Sequence, residues 1–143
     1  MQIKQISIFI ENRSGRLAAI ASLLGREGIN IRTLSLADTS DFGILRVIVD
    51  KPDAACALLK REGFTYSMTD VVAVEVADKP GGLAAVLEIL AKGGINVEYM
   101  YAFVEKSSGQ AVLVFRFDDV PKALQVLASG GVRVLKSAEV LAL

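Results

Sequence analysis

The sequence predicts an α+β fold in which one unit, with the element order βαββαβ, occurs twice. A glycine-containing segment that starts at Ser14 is repeated from Pro80, and a Gly-Ile-Asn segment that starts at Gly28 is repeated from Gly94. Both repeats come 66 residues later (Gly15 to Gly81, Gly28 to Gly94), so the spacing within each copy is preserved. A chain of 143 residues has room for two small units, and internal repetition is typical of duplicated domains.

Each unit begins with a strand and a helix. Apolar residues alternate over 6–10 and again over 72–76, which is the two-residue period of a strand. The apolar residues of 17–24 and 83–90 then follow the i, i+3, i+4, i+7 spacing of an amphipathic helix. Gly28 and Gly94 stand where a left-handed residue ends such a helix.

Two strands, a helix and a last strand complete each unit. The second strands are predicted over 31–37 and 97–104, and the third over 42–49 and 111–117. The third strands differ by 68 residues, which indicates a two-residue insertion near 106–109, in a hairpin turn. Proline favours a first helical position, so the second helices begin near Pro52 and Pro121. Gly63 and Gly131 end them.

This order predicts two ferredoxin-like domains, 1–69 and 70–143, each with four antiparallel strands and both helices on one face. We expect the domains to pair side by side, with Thr69 and Asp70 as a short linker. The third strands turn a largely apolar set of residues away from the helices, which predicts that a second chain covers this face and forms a homodimer. These residues are Ile44, Arg46, Ile48, Val112, Val114 and Arg116.

Composition excludes several functions. Acidic and basic residues number 16 each, so no net positive charge attracts nucleic acid. No apolar run is long enough to cross a membrane and no signal peptide is apparent, so we expect a cytoplasmic protein. Histidine is absent and Cys56 is the one cysteine, which disfavours catalysis, metal binding and any cofactor.

The turn between the first strand and first helix carries the candidate chemistry. It spans 12–15 in one copy and 78–81 in the other. The first N–H groups of a helix have no partner within the helix, and glycine lets a ligand approach the backbone closely. Such a turn can bind an anion through its main-chain N–H groups, without a charged side chain. The plain alternative is a tight turn with Ser14 as the N-cap residue.

These motifs resemble the signature of the ACT domain, the small regulatory domain that binds amino acids in many metabolic enzymes. The second copy is closer to the signature than the first, where Asn12 stands for the usual aspartate and Ser14 for the usual proline. The resemblance covers almost the whole chain and implies a pair of ACT domains with an amino acid bound where the domains meet.

The resemblance also implies which residues bind. The carboxylate of the amino acid would meet backbone amides in each turn, and its ammonium would meet oxygens of Asn12 or Asp78 and of Asn30 or Asn96. Because Asp78 is charged and Asn12 is not, we expect unequal sites, or only one in use. The full candidate set is Asn12, Arg13, Ser14, Gly15, Arg16, Leu17, Asn30, Ile31, Asp78, Pro80, Gly81, Gly82, Leu83, Asn96, Val97 and Tyr99.

The sequence therefore predicts a non-catalytic amino-acid sensor that modulates a partner, such as a metabolic enzyme, or its own oligomeric state. Two alternatives stay open. One is a regulatory subunit that docks on a biosynthetic enzyme without binding a ligand. The other is an acylphosphatase-like hydrolase of the same topology, with Arg13 and Asn30 as its functional pair.

Overall fold

The order βαββαβ is present twice, as the sequence predicts. The computed structural model describes residues 2–38, 41–103, 107 and 109–143. Seven strands are found in this part of the chain: β1 (Ile3–Glu11), β2 (Ile31–Asp38), β3 (Phe42–Val49), β4 (Thr65–Val76), β5 (Val97–Ala102), β6 (Ala111–Phe117) and β7 (Val134–Leu135). The helices are α1 (Arg16–Arg26), α2 (Pro52–Arg61), α3 (Gly82–Lys92), α4 (Val120–Ser129) and α5 (Ser137–Leu141).

The chain divides into two compact units, one of Lys4–Thr69 and one of Asp70–Leu143 together with the residues that precede Lys4. In the first unit, β3 pairs antiparallel with both β1 and β2, so that Leu45 lies opposite Ile8 on one side and Leu36 on the other. The helix-facing side of this sheet holds a core of 13 buried residues that includes Ile6, Ile20 and Leu59. Burial of such aliphatic side chains provides the main stabilisation of each unit.

The second unit repeats this arrangement. Antiparallel pairing joins β6 to β4 and β5, and β7 to β4. Its core contains Val74, Leu90 and Leu127, and the rings of Phe115 and Phe117 stack with their centroids 5.3 Å apart. Gly28 and Gly94 have positive φ angles of 70° and 72°, as expected for residues that follow a helix end.

One expectation about the elements is wrong. Thr69 and Asp70 form no linker, because both lie inside the uninterrupted strand β4. The last strand is present but only two residues long, and helix α5 after it was not predicted. The second strand of the second unit ends at Ala102, and the predicted end at Val104 lies outside the described residues, as does part of the insertion at 106–109.

The side of the strands that faces away from the helices is more covered than its composition suggests. Ile48, Val112 and Val114 are 2% exposed or less within a single chain. Their burial therefore needs no second chain, so these three residues do not support a homodimer, which stays a prediction. Ile44, Arg46 and Arg116 are half-buried. None of the described helices is long and apolar enough to cross a membrane.

Candidate functional site

The two glycine turns have the same backbone conformation. Gly15 and Gly81 precede α1 and α3 as N-cap residues with φ angles of 87° and 82°, in the left-handed region that glycine tolerates best. Neither cap is closed by a side-chain hydrogen bond, so Ser14 is not the N-cap residue. Among the described residues, no atom from outside the turn and its helix lies within 4 Å of the position that a Cβ would take at either glycine, so the backbone there is open to an approaching group.

The first turn borders a cavity of about 270 Å³. Its other wall comes from the β2–β3 hairpin, through Leu36 and Gly43, and Asn12 N–H holds the hairpin by donating to the Asp41 carbonyl oxygen at 2.9 Å. Arg13 lies at the rim, where its Nε is 3.3 Å from a carboxylate oxygen of Glu11. The cavity brings together five of the six residues predicted for this turn: Asn12, Arg13, Ser14, Gly15 and Leu17.

The sixth residue, Arg16, is directed elsewhere. Its guanidinium carbon is 5.7 Å from the centre of the Phe64 ring, and its Nε is buried without a hydrogen-bond partner. Phe64 packs against the core of the first unit. Arg16 therefore contributes to packing between α1 and the segment after α2, and it does not line the cavity at its own turn.

The second turn borders a larger cavity of about 490 Å³ on a different side. Pro80, Gly81 and Gly82 line it, but Asp78 and Leu83 do not. Its opposite wall is the segment from Gly130 to Arg133 after α4. The second copy thus divides its predicted site residues between two sides of the turn, whereas the first keeps nearly all of them in one cavity.

Asn30 and Asn96 lie away from the turn of their own unit. Each directly precedes the second strand, while the turn lies beside the far end of that strand. Asn30 is eight positions before Asp38, whose strand partner Gly43 lines the first cavity. At roughly 3.3 Å per residue this separation is about 26 Å. Arg13 and Asn30 are therefore not brought together within the unit, which removes the pair that the acylphosphatase-like alternative needs.

Each of these asparagines forms a reciprocal pair of hydrogen bonds with an aspartate, which we call an aspartate bracket. Asn30 N–H donates to Oδ1 of Asp50 at 2.9 Å, and Asp50 N–H donates back to the Asn30 carbonyl oxygen at 3.1 Å. Asn96 and Asp118 make the same pair of bonds at 3.1 and 3.2 Å. Neither aspartate is among the residues predicted from sequence, although each follows a third strand and they share the 68-residue offset.

The remaining predicted residues have mainly structural positions. Ile31 and Val97 are half-buried and pack against the cores of their units. Tyr99 is half-buried and lies opposite Arg116 in the β5–β6 pairing.

Burial raises the pKa of the Cys56 thiol, with a further contribution from the Asp53 carboxylate. The described residues contain no group of three or more side chains suited to a metal ion.

Comparisons with known proteins give one consistent picture. A family model described as an ACT domain pair matches residues 1–142. A protein of known structure from Bacteroides thetaiotaomicron is 40% identical, with 100% of this chain and 98% of that chain covered and a TM-score of 0.93. The ligand-free regulatory subunit of aspartate kinase from Thermus thermophilus is 16% identical, with 89% and 91% covered and a TM-score of 0.64. No curated protein matches the chain.

Proposed function

The chain belongs to the ACT domain family, and from that premise we propose that it is a non-catalytic regulatory protein that binds an amino acid. The observation that carries the proposal is the cavity at the first turn. It joins the open backbone of Gly15 to the side chains of Asn12 and Leu17 in one cavity. The fold it shares with the regulatory subunit of aspartate kinase is compatible with a regulatory role.

We assign the amino acid to the cavity of the first copy. Its carboxylate is held by the N–H groups at the start of α1, which a helix leaves without internal partners. Its ammonium is held by the side-chain oxygen of Asn12. A volume of about 270 Å³ lies just below the usual range for small-molecule pockets, so it suits a small ligand.

The cavity wall also bears on the ligand side chain. Leu17 and Leu36 line it and are 41% and 47% exposed, which leaves apolar surface for a ligand to cover. A short aliphatic side chain gains more from such contacts than a charged one does, because burying an unpaired charge is costly. The preferred ligand is therefore a small aliphatic amino acid.

The proposal also covers the oligomeric state, the cellular location and the partner of the protein. A second copy of the chain brings an ACT domain against the turn and completes the site with the side chain of Asn30 or Asn96, so that the amino acid favours a homodimer in the cytoplasm. Ligand binding then alters the activity of a metabolic enzyme that the protein contacts. Neither nucleic acid nor a membrane is a partner in this account.

A thermal-shift screen of the purified protein against the twenty amino acids tests the proposal. Small aliphatic amino acids should raise the unfolding temperature, because a ligand that binds only the folded state stabilises it by mass action. Isothermal titration calorimetry then gives the affinity of each hit. No stabilisation by any amino acid would reject the proposal and favour a docking subunit that binds no ligand.

A further inference from the structure

We propose that the second unit has a separate binding site for a small aliphatic carboxylate, in the cavity of about 490 Å³ beside α3. We call this cavity the α3 groove. It lies between the first half of α3 and the segment after α4, and its volume is within the range of small-molecule sites. Its walls include Ala77, Lys79, Gly82, Ala85, Ile89 and Val132.

Comparison of the two copies shows why a groove is present here. Three positions that border it carry larger residues in the first copy. Gly82 corresponds to Arg16 at the 66-residue offset, and Val132 and Gly130 correspond to Phe64 and Glu62 at the 68-residue offset. In the first unit, the Arg16 guanidinium lies over the Phe64 ring and its Nε is buried. The first copy thus fills this space with its own side chain, while the second leaves it open.

Two of the four glycines that line the groove are fixed by their surroundings. A Cβ at Gly82 would lie 1.9 Å from the carbonyl oxygen of Ala77, which is backbone and cannot move aside cheaply. A Cβ at Gly130 would lie 2.8 Å from the side chain of Ile89. Close packing therefore requires both glycines, and their missing side chains keep the groove accessible.

Charge selects the kind of ligand. Arg133 is engaged by two carboxylates: its Nη1 is 2.6 Å from Glu75, and its Nη2 is hydrogen-bonded to Glu139. Glu75 therefore already has a cationic partner at the groove wall. The described residues give Lys79 no ion pair, so its ammonium is available to a ligand. A cation beside apolar walls fits a carboxylate with an aliphatic body.

The test uses 4-methylpentanoate as the probe and follows the amide resonances of the whole chain by NMR. We expect saturable shifts at Gly130 and Gly131, which belong to the groove and not to the amino-acid cavity. Lys79→Met should weaken binding by roughly two- to fivefold, which is the range of an exposed ion pair. The neutral 4-methylpentanamide should show a similar loss. The same titration with leucine, which adds an ammonium group to the acid, tests whether the α3 groove also binds an amino acid.

Two variants that fill the groove make the test decisive. Ala85→Arg places a long side chain in it from α3, and Val132→Phe restores the residue type of the first copy. Both should abolish the shifts at Gly130 and Gly131, while Ala91→Arg, on α3 but away from the groove, should retain them. No saturable shift with the wild type, or shifts that persist in both filled variants, would overturn the inference.

The outcome is independent of the amino-acid proposal. Amino acids that stabilise the protein through the first cavity, with no response to 4-methylpentanoate, would remove the α3 groove alone. A response to 4-methylpentanoate without any to amino acids would remove the proposed function alone. Dispersed NMR spectra for Ala85→Arg and Val132→Phe establish that a loss of binding does not come from unfolding.

Discussion

The Arg16 guanidinium lies over the Phe64 ring with its central carbon 5.7 Å from the ring centre. The two residues are far apart in sequence, and they pack the start of α1 against the segment after α2. A cation at this distance from an aromatic face is attracted by the ring quadrupole. The contact distinguishes the two copies, because Gly82 and Val132 take the corresponding positions in the second.

Arg16→Ala should lower the free energy of unfolding by about 0.5–1 kcal/mol, since the contact is partly exposed. In a Phe64→Leu background the same change should cost less, because the ring is gone. Urea unfolding of the four proteins measures the coupling between the two side chains. Equal losses in both backgrounds would mean that Arg16 and Phe64 contribute independently.

Neighbouring glycines should respond differently to alanine. At Gly81 there is space for a Cβ, so Gly81→Ala should cost only the left-handed backbone conformation, about 1–2 kcal/mol. Gly82 lies in α3 without a positive φ angle, but Gly82→Ala must displace the Ala77 carbonyl, and its cost should reach or exceed the upper end of about 1–3 kcal/mol typical of overpacking.

Gly25→Ala is the matched control for these substitutions. Gly25 lies inside α1 with no atom near the added Cβ, so the change should stabilise the protein by roughly 0.5–1 kcal/mol. All three variants are compared by urea unfolding. A Gly82→Ala variant as stable as Gly81→Ala would contradict the tight packing against Ala77.

The aspartate brackets should hold the entry to each second strand. Asp50→Ala removes the acceptor of the Asn30 N–H bond and should cost about 1 kcal/mol, and Asp118→Ala should do the same at Asn96. Hydrogen exchange at Asn30 N–H should accelerate only in Asp50→Ala, and exchange at Asn96 N–H only in Asp118→Ala. Unchanged exchange in both variants would show that the brackets do not hold these segments.

Helix α5 should be sensitive to acid. The Lys136 N–H bond and the nearby Arg133 hold the pKa of Glu139 below its usual value. A carboxyl whose folded pKa is depressed stabilises the fold above its unfolded pKa, and this contribution is lost as pH falls through the folded value. The protection factors of the amides in 137–141, which correct for the intrinsic effect of pH on exchange, should therefore fall as pH falls below the ordinary pKa of glutamate.

Glu139→Gln is the control for this prediction. It keeps the shape of the side chain but has no carboxyl to titrate, so the protection factors of its α5 amides should show no such step with pH. A wild-type protein whose α5 protection factors are equally constant with pH would contradict the role of Glu139.

The sequence predicts the repeated topology well because apolar periodicity and glycine positions are local signals. The left-handed glycines at 28 and 94 follow directly from such signals, whereas the left-handed conformation of Gly15 and Gly81 was not predicted. The aspartate brackets were also within reach, because Asp50 and Asp118 recur at one offset. The two turns differ in which side borders a cavity, and this difference could not be predicted from the sequence. It depends on whether the residue at position 16 or 82 contacts the residue at position 64 or 132, and a local pattern does not report such a distant contact.

Asn12→Ala should weaken binding of the amino acid by about tenfold, because a ligand ammonium loses a hydrogen bond worth roughly 1–1.5 kcal/mol. Asp78→Ala should have a smaller effect, since Asp78 does not line the first cavity. Calorimetry with the best ligand of the thermal-shift screen measures both. A larger loss for Asp78→Ala would place the site at the second turn instead.

The most direct measurement is an NMR titration with that same amino acid and with the amino alcohol derived from it, which lacks the carboxylate. If main-chain amides of the first turn bind the carboxylate, the resonances of Gly15, Arg16 and Leu17 will shift with the amino acid and not with the alcohol. Equal shifts with both compounds, or shifts that leave this turn unchanged, would contradict the account.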